Sequence, residues 1–218
     1  MYLIRTPALI QHLFPSLLWR NEAHGKELFL TFDDGPVPEI TPWVLDLLKA
    51  YDAHATFFCV GENVSRYPDI YRRIVTEGHT AGNHTYNHIS GWNHDLEAYL
   101  HNVSTCAELV DSNLFRPPYG RLGRKQARLL ISHHYRIVMW DVLSGDFDRD
   151  LDPEQCYRNV IDNAHAGSII VFHDSVKAEA NMRWALPKVI DYFAQRDFAF
   201  KALHAQAIRV EQPVRKIA

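Results

Sequence analysis

The chain has 218 residues, enough to bury a sizeable core, and its 47% hydrophobic and 22% charged residues are those of a soluble globular α/β protein. With 26 acidic residues against 23 Lys and Arg, the formal net charge is −3, which leaves no basic field for a phosphate backbone and excludes nucleic acid as an expected partner. No run approaches the roughly 18 consecutive apolar residues of a membrane-spanning helix, so no transmembrane segment is expected.

The opening segment, MYLIRTPALIQHLFPSLLWRN, carries one early Arg, but Pro7, Gln11, His12 and Pro15 interrupt it before a signal-peptide core forms. The expected location is therefore cytoplasmic, or extracytoplasmic if a leader was trimmed from the sequence. Short runs rich in apolar, β-branched or aromatic residues then predict strands at Glu27–Phe32, Ala55–Val60, around Phe115, Arg136–Trp140, Ser168–Phe172 and Phe198–Leu203, with a weaker signal at His79–Gly82. Helical patterns fall between them at Glu39–Tyr51, Ser65–Glu77, Leu96–Val110, Lys125–His133, Pro153–His165 and Glu179–Gln195. Cys59, Cys106 and Cys156 lack the spacing of a disulfide framework or a thiolate metal site and read as buried thiols.

Strand and helix alternate throughout, which builds parallel strands joined by crossover helices; about seven such units favour a (β/α) barrel over an open doubly wound sheet. A single domain spanning 1–218, with its core at about 27–204, is expected. Barrel chemistry sits on loops after the C-terminal ends of the strands. The unusual polar residues fall there: Asp33 and Asp34, then His84 and His88, Arg116 and Tyr119, Asp141 and Asp146, and His173 and Asp174.

Asp33 and Asp34 end a hydrophobic strand and precede Gly35-Pro36. Successive strand side chains point to opposite faces, so the chain must bend for both carboxylates to reach one pocket, and Gly35 and Pro36 are expected to supply that bend. His84 and His88 stand four apart; on a helical turn both imidazoles would leave one face, about 5–6 Å apart at Cβ, close enough to share an ion. One carboxylate and two imidazoles leave a coordination position open, as in catalytic rather than structural zinc sites. Arg116 precedes a stiff Pro117-Pro118 turn, and a cleft Arg needs a carboxylate partner, for which Asp33 is the natural candidate. The run Ile170-Val171-Phe172 delivers His173 to the same mouth, where a catalytic acid is the expected role. Trp92 and Tyr119 are candidates to stack on a ring of the ligand.

These motifs closely resemble those of the polysaccharide deacetylase family, also called the NodB-homology or carbohydrate esterase 4 family, from about Leu28 to Leu203. TFDDGP (Thr31–Pro36), HTYNH (His84–His88), RPPYG (Arg116–Gly120), WDVLSGDF (Trp140–Phe147) and VFH (Val171–His173) occur in the family's order. The resemblance implies a distorted (β/α) barrel of fewer than eight strands and a metal-dependent hydrolase that releases acetate from N-acetylglucosamine-type sugars in chitin oligomers or peptidoglycan. It implies that Asp33 is the general base, that Asp34, His84 and His88 hold a divalent metal, with Zn2+ expected and Co2+ or Ni2+ able to substitute, and that His173 is the general acid. Arg116 would orient Asp33, the Tyr119 backbone N–H would hold the oxyanion, and Val171 would line a pocket for the acetyl methyl group. The chain departs from the family where a first Asp of the fourth motif usually tunes the catalytic His: Leu143 stands there, leaving Asp146, Asp141 or Asp174 as substitutes, with Asp146 ranked above Asp141, or a His173 that works without a carboxylate partner. Phe147 replaces the usual Trp. The alternatives are a deacylase of another amide, a cyclic imide or an acetyl ester on the same fold, and a non-catalytic carbohydrate-binding relative.

Overall fold

The computed structural model describes residues 2–205, so the last part of the expected 1–218 domain lies outside the described residues. In chain order the elements are α1 (Ala8–Leu13), β1 (Glu27–Asp33), α2 (Ile40–Ala50), β2 (Thr56–Cys59), α3 (Gly61–Arg66), α4 (Pro68–Thr76), β3 (Thr80–Asn83), α5 (Leu96–Ala107) and β4 (Leu114–Phe115). After a 3-10 turn at Pro118–Gly120 come α6 (Arg124–Ser132), β5 (Arg136–Ile137), β6 (Val142–Leu143), α7 (Pro153–Ile161), β7 (Ile169–His173), α8 (Glu179–Ala194) and β8 (Ala199–Phe200). Seven parallel strands run in the order β5-β4-β3-β2-β1-β7-β6, with β8 pairing the start of β1, and they curl into a half-barrel. Among the described residues no helix is long and apolar enough to cross a membrane.

β1 is central because both its faces are covered, and a strand so placed must be apolar nearly throughout. Leu28, Leu30 and Phe32 share a core with Val44, Leu45 and Leu48 of α2 and with Val189 and Ile190 of α8. The alternate residue Phe29 joins Phe58, Leu114, Val138, Ile169 and Leu203 in a second cluster inside the curl. Register then stacks the interior residues in steps of two: Phe29 beside Ile169, Thr31 beside Val171, Asp33 beside His173. The inner column thus climbs from apolar floor to ionisable rim, and buried Val171 lies one step below His173.

The expected helix at Ser65–Glu77 is two helices, α3 and α4. Tyr67, at φ −129 and ψ 57, breaks them because it precedes Pro68, whose ring disfavours the helical region for its neighbour. β6 is a two-residue strand beyond the expected Arg136–Trp140, of which only Arg136 and Ile137 pair as a strand. β5 and β6 do not pair with each other. The N-terminal segment lies between them: Leu18 N–H donates to Ile137 O (2.9 Å) and Met139 N–H to Leu18 O (2.7 Å), while Leu143 N–H donates to Ile4 O (2.8 Å) and Thr6 N–H to Asp141 O (2.9 Å).

Candidate active site

The bend after β1 involves Asp34 as well as the expected Gly35-Pro36, whose peptide bond is cis. Asp34 carries a φ of 83, a region that non-glycine residues seldom occupy, and its carbonyl accepts from Asn63 Nδ2 at 2.8 Å. Gly35 is needed for space. A Cβ there would lie 2.0 Å from Asp174 Oδ2. The buried Asp174 carboxyl accepts from Gly35 N–H (3.1 Å) and Thr41 Oγ1 (2.5 Å), while its own N–H donates to Asp33 O (3.1 Å). Burial pushes its pKa up to about 8, nearby Asp34 adding to the rise against the hydrogen bond from Thr41. Gly35→Ala is expected to cost about 1–3 kcal/mol of stability, read as a lower denaturant midpoint at unchanged slope; an unchanged midpoint would refute the steric account.

His84 and His88 do not lie on a helical turn. β3 ends at Asn83, and the following loop turns back through positive φ at Thr85 (63) and His88 (55). Thr85 N–H donates to Asn83 Oδ1 (2.9 Å) and Ile89 N–H to Thr85 Oγ1 (3.1 Å), which holds the loop. The two rings come to 5.0 Å between centroids by this route. His84 Nδ1 lies 2.8 Å from Arg116 O; a carbonyl only accepts, so Nδ1 carries the proton and the Nε2 lone pair is free. Burial pushes the His84 imidazole down to about 4 despite Asp33 nearby, so it is neutral at pH 7.

Asp34 Oδ1 lies 3.1 Å from His88 Nε2 and 3.8 Å from His84 Nε2. Burial alone would raise the Asp34 pKa, but the hydrogen bond to His88 and the electrostatic pull of the neighbouring imidazoles, His173 first, outweigh it and hold the carboxyl below the usual range. One ligand atom from each of Asp34, His84 and His88 falls within 4.8 Å of the others, a group that can hold a metal ion. An ionised carboxylate and a neutral imidazole with its outer nitrogen anchored are the donor states a divalent cation requires, so these residues fit such an ion.

Two acid–base pairs flank this group. Fully buried Arg116 donates from Nη1 to Asp33 Oδ1 and to Thr31 Oγ1, each at 2.7 Å, and from Nη2 and Nε to Met139 O (2.9 Å) and Val138 O (3.3 Å). Its guanidinium lies 4.1 Å above the Phe58 ring. Every face is engaged, so the arginine aims one charge-assisted bond at Asp33. Opposite, both oxygens of buried Asp146 bind His173, Oδ1 at 2.8 Å from Nδ1 and Oδ2 accepting the backbone N–H at 2.7 Å. Burial works against the charged imidazole, but the charge and hydrogen bond of Asp146, with Asp34 and Asp33 behind, raise its pKa to about 9. Phe147 packs its ring edge-on to His173, centroids 5.2 Å apart.

The three candidate partners of His173 are thereby separated. Asp174 serves the Gly35 turn, and Asp141 is not at the mouth: it is buried against Ser168 Oγ (2.6 Å) at the start of β7, with Gln11 at 3.2 Å, Arg20 at 3.6 Å and Arg5 at 3.8 Å. Tyr119, at φ 60, presents an exposed ring 4.8 Å from that of His88. Exposed Trp92 lies farther out, linked to Tyr119 through Arg121, whose guanidinium is 5.4 Å from the Trp92 ring and 5.8 Å from the Tyr119 ring. The supporting contacts of Thr31, Thr41 and Asn63 were not expected from the sequence, although Thr31 lies within TFDDGP.

A parallel half-barrel whose C-terminal rim sets a possible cation-binding triad between two buried acid–base pairs is the layout of a hydrolytic enzyme. The chain belongs to the polysaccharide deacetylase family, whose model matches residues 20–138. It is 36% identical over 155 residues to a peptidoglycan-N-acetylglucosamine deacetylase of Bacillus cereus, covering 68% of this chain and 56% of that protein, so it spans little over half the length of this relative. A chitooligosaccharide deacetylase of Azorhizobium caulinodans is 30% identical over 202 residues, covering 84% of this chain and 96% of that one. The solved structure of the Bc1960 peptidoglycan N-acetylglucosamine deacetylase matches with a TM-score of 0.82 at 30% identity, over 91% of this chain and 95% of that chain. The family match stops before Asp146 and His173, so their pairing rests on the geometry.

Proposed function

We propose that this chain is a metal-dependent de-N-acetylase of N-acetylglucosamine-type sugars in a poly- or oligosaccharide, releasing acetate. The observation that carries the reading is the placing of Asp34, His84 and His88 between Arg116-bound Asp33 and Asp146-bound His173. The relatives' names, peptidoglycan-N-acetylglucosamine deacetylase and chitooligosaccharide deacetylase, support the substrate class. Zinc is the metal we expect in this borderline-soft set of one carboxylate and two imidazoles, with Co2+ or Ni2+ as substitutes.

A divalent cation bound there supplies Lewis acidity toward the acetyl carbonyl and lowers the pKa of water. Asp33, oriented by Arg116, takes a proton from the water that attacks the amide carbon. The backbone N–H of Tyr119 donates to the developing oxyanion, and Val171, on the interior face below His173, bounds the pocket for the methyl group. His173, protonated at neutral pH and anchored through Nδ1, offers its Nε2 proton to the departing amine as the C–N bond breaks, leaving acetate and a free amino sugar.

Acetate release from chitin oligomers and peptidoglycan fragments, lost on treatment with a chelator and regained with zinc, is the expected result. Release from acetylated xylan alone would move the assignment to an ester substrate, and silence on all three substrates would sink the sugar reading.

A further inference from the structure

Beside the site the surface changes character. The Trp92 loop and the segment leading into α6 are fastened together by buried Gln126, which donates to Gly91 O (2.9 Å) and His94 O (3.3 Å) and accepts from Gly123 N–H (2.7 Å). Gly91 N–H donates to Arg121 O at 3.0 Å, and a Cβ on Gly91 would lie 2.5 Å from Gln126 Oε1. On this fixed frame Trp92 is 67% exposed and Tyr119 62% exposed, with Arg121 against both rings. Trp92, His94, Arg124 and Lys125 line an open depression of about 450 Å³ that continues outward from the platform.

The charge here is unbalanced. Several surface arginines elsewhere are matched with acids, as in Arg66 with Glu62, Arg73 with Asp46 and Glu77, Arg158 with Glu154, and Arg183 with Glu179, while Arg128, Arg136, Arg149 and Arg196 stand singly without an ion pair among the described residues. Arg121, Arg124 and Lys125 form no ion pair among the described residues. The acid nearest the depression in sequence, Asp95, accepts the N–H of Ala98 (2.8 Å) as the cap of α5. Three cations and two exposed aromatic rings on a rigid frame, next to His88, suit a ligand with both sugar faces and negative charge.

Resting on the deacetylase reading, we propose that Arg121, Arg124 and Lys125 bind a carboxylate carried by the glycan strand beside the sugar being deacetylated. The preferred substrate is then an anionic, muropeptide-type strand and not a neutral chitin oligomer. Sugar rings stack on Tyr119 and Trp92, and the carboxylate reaches the cations at the edge of the same platform.

The test compares kcat/KM for a peptide-free tetrasaccharide of alternating N-acetylglucosamine and N-acetylmuramic acid, as free acid and as methyl ester, with neutral chitotetraose and the peptide-bearing tetrasaccharide alongside. The free acid should exceed the ester by about fivefold at low salt and lose that advantage near 0.5 M NaCl, as exposed charge pairs are weak and screened. Arg124→Gln combined with Lys125→Gln, and separately Arg121→Gln, should bring the acid-to-ester ratio toward one, a readout that simple loss of folded protein does not move. The peptide is joined through the lactyl carboxyl, so a fall to the ester's rate with the peptide-bearing strand would assign the carboxylate to the lactyl group alone, and a rate kept or raised would show that a peptide carboxylate also reaches the cations. Equal rates on acid and ester, or a ratio that survives the substitutions, would overturn the charge preference alone. Absence of acetate from every substrate would overturn the deacetylase reading and this inference with it.

Discussion

Asp33→Asn is expected to lower acetate release by about 10²- to 10⁴-fold, the usual contribution of a positioned proton acceptor, while bound metal stays at the wild-type level. Asn at this position still accepts from Arg116, so the local geometry survives, but an amide oxygen takes no proton from water. Arg116 is fully buried and Asp33 is the single carboxylate in its shell of hydrogen bonds, the others being Thr31 and two backbone carbonyls. Removing that charge strands a buried cation, so a lower melting temperature should accompany the loss of turnover; leaving a buried charge uncompensated costs about 3–5 kcal/mol where no hydrogen bond is retained. Metal analysis, a thermal melt and single-turnover acetate release separate these effects. Full turnover in a folded, metal-loaded variant would eliminate Asp33 as the base.

Asp146→Asn should reduce activity more than Asp141→Asn, and the difference should widen with pH. In the proposed reaction His173 serves as an acid only while protonated, and its pKa of about 9 depends on the Asp146 charge and hydrogen bond opposing burial. Without that charge, burial dominates and the pKa falls. The alkaline limb of the kcat profile should then move to lower pH, so that the variant loses more activity at pH 8 than at pH 6. The sign for stability is the same: a raised folded-state pKa contributes stability fully present below the unfolded value of roughly 6.5 and lost as pH rises through about 9. Asp141 has no contact with His173 and instead ties Ser168, Gln11, Arg5 and Arg20 to the barrel. Its variant should lose stability with little change in the pH profile. Equal activities for the two variants would refute the ranking.

The barrel was legible because crossover units impose alternation on hydrophobic pattern, and β1, β2 and β7 are long enough to express it. β6 follows the apolar run Arg136–Trp140 with only Asp141 between, so the sequence does not separate it from β5 and sets Asp141 with Asp146 at the mouth. The residue types of the candidate metal triad were visible in TFDDGP and HTYNH, but not the backbone that brings them together. A helical turn is the simplest way to juxtapose residues four apart, and here a loop with left-handed Thr85 and His88 achieves it. Likewise Gly35-Pro36 signals the bend, but not that Asp34 adopts the positive φ within it or that Gly35 makes room for Asp174. The sequence ranks Asp146 above Asp141 as the partner of His173 but gives no geometric reason against Asp141 or Asp174, because all three lie within reach along the chain and only the exit directions of β6 and β7 separate them. Contacts such as Asn63 to the Asp34 carbonyl join elements far apart and leave no periodic trace.

The N-terminal segment between β5 and β6 gives the half-barrel more than coverage. Two parallel strands that fail to meet would each offer a ladder of unpaired amides and carbonyls to a neighbouring molecule, the usual route to edge-to-edge aggregation. Ile4, Thr6 and Leu18 occupy those ladders from within the same chain. A stretch that supplies none of the rim groups therefore acts as a guard against self-association, keeping the two open margins of the sheet from serving as templates for another copy.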